Sequence, residues 1–87
     1  TNPQALEKLR NERDRLKNRL DTLRQQIALS ENNLGFFAKS KNADAMIQGF
    51  RQKMEKQKEE ANSLQSLINN IGKAINEAAT AKGDKKN

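Results

Sequence analysis

From Leu6 to Leu34 the chain repeats its apolar residues at alternating intervals of three and four, and nothing interrupts the pattern. Leu6, Leu9, Leu16, Leu20, Leu23, Ile27 and Leu34 carry the repeat, with Arg13 and Ser30 filling its two polar steps. In heptad terms Leu6, Arg13, Leu20, Ile27 and Leu34 take position a, and Leu9, Leu16, Leu23 and Ser30 take position d. A stripe this narrow is the seam of a coiled coil; a helix packed on a globular core shows a broader apolar face. A second stripe runs through Ile47, Phe50, Met54, Gln57, Ala61, Leu64, Ile68, Ile71, Ile75 and Ala78. Ile47, Met54, Ala61, Ile68 and Ile75 are its a positions, and Phe50, Gln57, Leu64, Ile71 and Ala78 its d positions.

The two stripes are out of phase, because Leu34 and Ile47 are not separated by a whole number of heptads. One continuous helix in a parallel dimer is therefore disfavoured. An all-α antiparallel two-helix coiled-coil hairpin over residues 3–78 follows, with helices about 3–34 and 43–78 and a turn about 35–42. Pro3, preceded by Thr1 and Asn2, marks the start of the first helix. Gly35 suits a left-handed C-cap, and Ser40 or Asn42 suits the cap of the second helix. Phe37 falls on a continued d position, which leaves open a first helix running past Gly35. Gly49 and Gly72 lie off the seam, and each costs a helix roughly 1 kcal/mol, too little to stop one this long. Residues 79–87 lose the periodicity and predict a disordered basic tail.

Antiparallel pairing brings each a residue level with a d residue of the partner helix. The best register sets Leu6 against Ala78, Leu9 against Ile75, Leu16 against Ile68 and Leu20 against Leu64. It continues with Leu23 against Ala61, Ser30 against Met54, Leu34 against Phe50 and Phe37 against Ile47. Arg13 with Ile71 and Ile27 with Gln57 are the awkward layers. Their long stems can cover the seam while the polar heads reach water.

Composition agrees with a thin rod: only 33% of the residues are hydrophobic and 32% are charged. A chain of 87 residues cannot build a TIM barrel or a doubly wound sheet. It has no Cys and no His, which removes disulfides, thiolate chemistry, zinc–sulfur sites and the usual general base. Without Tyr or Trp, stacking on bases would fall to Phe36, Phe37 and Phe50. No glycine-rich phosphate loop or calcium-loop pattern is present, and no apolar stretch is long enough to span a membrane. The sequence predicts a non-enzymatic chain with no cofactor, metal or small-molecule substrate. The first residue, Thr1, suggests an excised or processed piece of a longer protein.

The net charge of +6 raises the question of partners. The e positions of the two helices form an edge rich in Arg10, Lys17, Arg24, Arg51 and Lys58, with Glu31 opposite Arg51 and Arg24 near Lys58. Such an edge serves solubility and correct pairing. Alternatively it is a contact strip for phosphates or an acidic partner, and with Lys82, Lys85 and Lys86 it could track a nucleic-acid backbone without specifying sequence. On the g edge Ala5, Leu67 and Ala74 widen the apolar stripe. They either shield the seam or pack against another helix, from a second copy or from the remainder of a parent chain. Leu29 and Phe36 suggest a further small patch near the turn. The leading expectation is a structural or protein-interaction module of a larger protein; the alternative is a nucleic-acid-binding helical arm.

Within residues 29–47, Glu31, Asn32, Asn33 and Leu34 followed by Phe36 and Phe37 make a specific motif. It resembles a segment near the C-terminus of an uncharacterised Bacteroidetes family with tandem all-helical repeats of unknown function. In that segment a helix ends in this motif and is followed by a polar turn and a Lys/Glu-rich helix. This chain has Ala45 where the segment favours Pro. The resemblance extends loosely over residues 16–75. It implies a cytoplasmic, non-enzymatic helical accessory segment, and carries no catalytic or ligand residues across.

Overall fold

The computed structural model describes residues 2–83, which form two helices, α1 (Pro3–Phe37) and α2 (Asp44–Gly83), folded back on each other. The hairpin is a rod 67 Å long with a cross-section of 20 × 14 Å. At 1.5 Å per residue, a helix the length of α2 accounts for about 60 Å of it.

Asn2 caps α1: its side-chain oxygen accepts from the Gln4 amide at 2.8 Å, and Pro3 follows in the first helical turn. Along both helices the heptad pattern fixes burial. Every a and d position from Leu6 to Ala78 is buried or half-buried. Outside these rows, from Asn2 to Thr80, only Ala43, Gln65, Gly72 and Ala74 are less than exposed. Leu16, Leu20, Leu23, Leu64 and Ile68 make the central cluster, with Ile27, Ala61 and Ile71 packed against it. These are the members of the central layers of the expected register.

Cross-helix bonds bracket that register from both sides. On one edge Arg19 meets Glu60 at 2.6 Å; on the other Arg24 donates to Gln65 at 3.0 Å. Their midpoint falls between the Leu20–Leu64 and Leu23–Ala61 layers, as the expected register requires. Of the two awkward layers, Arg13 is half-buried with its guanidinium 3.4 Å from Asp14. Gln57 behaves differently from expectation. Its amide oxygen accepts from the buried Ser30 hydroxyl at 3.3 Å, so two polar d residues satisfy each other across the seam instead of reaching for water.

The turn departs from expectation in where it bends. α1 runs past Gly35 to Phe37, and Gly35 is an ordinary helical residue. The cause is the next d position: Phe37 stacks on Phe50 with ring centroids 5.7 Å apart, while Phe36 meets Phe37 edge-on at 5.3 Å. Aromatic burial of this kind outweighs the roughly 1 kcal/mol that a helical glycine costs. The left-handed residue is instead Asn42, with φ 62°, a conformation that Asn tolerates better than most non-glycine residues. Neither Ser40 nor Asn42 caps α2. The first α2 bond runs from the Ile47 amide to the carbonyl of Ala43, whose buried methyl closes the turn. Residues 79–83, assigned by sequence to a tail, belong to α2, and Lys85 and Lys86 lie outside the described residues.

The left-handed turn gives a direct test. Asn42→Ala is expected to lower stability by about 1 kcal/mol in a thermal melt, while Asn42→Gly leaves it unchanged or slightly raised.

Candidate interaction surface

A two-helix rod spends its apolar residues on one seam, so what remains outside the seam is available to other contacts. The charged residues come first. Arg10, Lys17, Arg24, Arg51 and Lys58 are all exposed along one edge, where the heptad places them. Their pairing differs from expectation. Glu31 goes to Lys58 at 3.8 Å and not to Arg51, and Arg24 goes to the Gln65 amide oxygen and is not opposed by Lys58. One carboxylate serves this part of the edge, and by taking Lys58 it relieves the Arg24–Lys58 repulsion that the expected pairing would have built in. Gln65 in turn donates to Asn69 at 3.1 Å, so the polar row continues along α2.

The sequence also places Glu7, Asp14 and Asp21 one helical turn from Arg10, Lys17 and Arg24. In α1 each of these cations has a carboxylate three residues before it, and for Arg10 and Lys17 another lies four residues after. Together with Glu31 these carboxylates balance the charge of that flank of α1. The edge is a mosaic and not a cationic strip.

The opposite flank has a different character. It carries the g positions and, beyond them, the c positions. Among the described residues all four exposed large apolar side chains lie here: Phe36 at 74% exposure, Leu29 at 62%, Met46 at 50% and Leu67 at 48%. Of the expected packing contacts, Leu67 and Ala5 are exposed, and Ala74 is half-buried beside the seam. Near the turn this flank is indented by an open groove of about 450 Å³ between the helices. Phe50 and Leu29 give it apolar walls, and Gln26, Ser30, Asn33, Lys53 and Gln57 supply amides, a hydroxyl and one cation.

The groove follows from Ser30. A serine at d, bonded across the helices to a glutamine at d in the adjoining layer, leaves the seam thin where leucine would have filled it. Sequence periodicity registered both as polar steps but not as neighbours. Two polar d residues within one layer of each other, close to the turn, were the available signal.

Two ion pairs form on this flank within the hairpin. Arg19 holds Glu60 across the helices, and Arg15 holds Glu12 one turn away. The hydrogen bond from Arg15, helped by its charge, keeps the Glu12 carboxyl below its ordinary pKa, while Glu12 raises that of Arg15. A lowered carboxylate pKa means that what the pair adds is present above the ordinary value and lost as pH falls through the lowered one. Both side chains lie on the surface, so the pair acts as local helix support.

Among the described residues no three His, Cys, Asp or Glu side chains gather as a metal site, and no helix is long and apolar enough to cross a membrane. No family model, curated protein or solved structure matches the chain.

Proposed function

We propose that this hairpin is a structural or protein-interaction module of a larger protein, and that it docks through the flank bearing Leu29, Phe36, Met46 and Leu67. The observation that carries this is the segregation of apolar exposure. Single exposed apolar residues are ordinary, but here every large one among the described residues falls on the same side of the rod, outside the a and d rows of the seam. Apolar surface that the fold does not bury is the material of a contact with another helix. The resemblance of residues 29–47 to a segment of helical-repeat proteins, and the cytoplasmic setting it implies, belong to the same proposal.

Nucleic-acid binding draws little support from the geometry. Phosphate tracking needs cations free of competing carboxylates, and the α1 cations alternate with Glu7, Asp14 and Asp21.

The test separates folding from docking. Leu29→Gln and Leu67→Gln, each measured in dilute solution by circular dichroism, are expected to change hairpin stability by less than about 1 kcal/mol, because neither side chain is held in the seam. A loss of about 2 kcal/mol or more from either would mean that these residues serve the fold, and would overturn the assignment. Titration with duplex and single-stranded nucleic acid should show no salt-dependent binding near micromolar concentration. Binding that weakens steeply with salt would favour the nucleic-acid arm instead.

A further inference from the structure

We infer that the partner on the apolar flank is a second copy of this chain, lying parallel to the first about a two-fold axis that runs along the rod. This rests on the docking surface proposed above and supplies its occupant.

The register places the outer rows of that flank at matched heights. Lys8 on α1 lies level with Glu77 on α2, at the end bearing the termini. At the other end, next to the turn, Phe36 lies level with Gly49. A half-turn about the rod axis sets α1 of one copy over α2 of the other without changing any height. Lys8 then faces the second copy's Glu77, and the symmetry makes that pair twice. Phe36, 74% exposed in the single hairpin, faces Gly49, where a Cβ would meet nothing within 4 Å. A large, mostly exposed ring thus meets an open place on the backbone. Between these ends, Thr22 faces Ser63, and Leu29 faces the alkyl stem of Lys56. No like charges oppose each other along the outer rows.

The antiparallel alternative lacks this match. Centred on the rod, it sets α1 over α1, with Thr22 against itself and Lys8 against Phe36. Glu77 then faces Gly49, and neither Lys8 nor Glu77 finds an opposite charge. Size is also adequate. A flank 67 Å long on a rod 14–20 Å across has room for the roughly 800 Å² per partner that a specific interface buries. The Arg19–Glu60 and Glu12–Arg15 pairs enter the interface already neutralised, which limits the cost of covering them.

Sedimentation equilibrium over a range reaching several hundred micromolar is expected to show a monomer–dimer equilibrium. Lys8→Glu should weaken the dimer about tenfold, since it replaces two attractions by two repulsions, and adding Glu77→Lys in the same chain should restore it. Orientation is read by cross-linking, for which a chain without cysteine is suited. Thr22→Cys mixed with Ser63→Cys should give a disulfide-linked dimer under mild oxidation, and Thr22→Cys alone should not.

A monomer at every concentration overturns the inference, as does an efficient Thr22→Cys self-link, which marks the antiparallel arrangement. Failure of the charge swap to restore association also overturns it. None of these results alters the Leu29→Gln and Leu67→Gln outcome, so the loss of the self-partner and the loss of the docking surface are separately visible.

Discussion

Leu20→Asp is expected to abolish the folded hairpin at neutral pH. Leu20 is only 3% exposed and belongs to the central cluster with Leu16, Leu23, Leu64 and Ile68. Removing its side chain alone costs roughly 2–5 kcal/mol. Introducing a carboxylate into this apolar cluster adds a desolvation penalty. A chain of this size has roughly 4–13 kcal/mol of stability to lose, and a two-helix rod has no second core to fall back on. The far-ultraviolet dichroism should therefore show a lost or strongly shifted transition. Lowering the pH should recover part of it relative to the native sequence, because burial raises the pKa of the introduced carboxyl and the folded state then binds the proton more tightly. Leu20→Met, which keeps volume and polarity, should cost less than about 1.5 kcal/mol. An unchanged melt for Leu20→Asp would refute the seam.

The seam was legible because its physics is local and periodic. A residue one position away from a or d turns out of the interface, so a spacing of three and four translates directly into burial from Leu6 to Ala78. Antiparallel register was legible for a related reason: small residues had to face large ones, as Leu23 faces Ala61. What escaped depends on choices between near-equal partners. Glu31 could reach either Arg51 or Lys58, and in the folded hairpin it goes to Lys58. Gly35 carried the strongest local stop signal, yet a helical glycine costs little, and the stacking of Phe37 on Phe50 overrode it. The groove beside Ser30 was hidden for a different reason. It arises from volume missing across two helices, and a heptad wheel records only polarity along one. The asymmetry between the two flanks was likewise present in the sequence, but it becomes visible only when the c rows are read together with the g rows of both helices.

Gly35→Ala combined with Gly72→Ala is expected to raise hairpin stability by roughly 1–2 kcal/mol. Both glycines sit within helices, neither has a positive φ, and a Cβ at either meets nothing within 4 Å. Each substitution then removes unfolded-state freedom without adding a clash, worth about 0.5–1 kcal/mol apiece. The two sites lie near opposite ends of the rod, so their effects should add. For a domain of this size the thermal midpoint should rise by about 10 °C. No gain would mean that the backbone at these sites is not helical in solution. Gly49 has the same open surroundings in the single hairpin, and Gly49→Ala should stabilise the dilute monomer to a similar degree. In the paired arrangement, however, its open place is taken by Phe36 of the second copy, so the same substitution should weaken association. Opposite signs in the melt and in sedimentation at one residue would show that this glycine is kept for the contact and not for the fold.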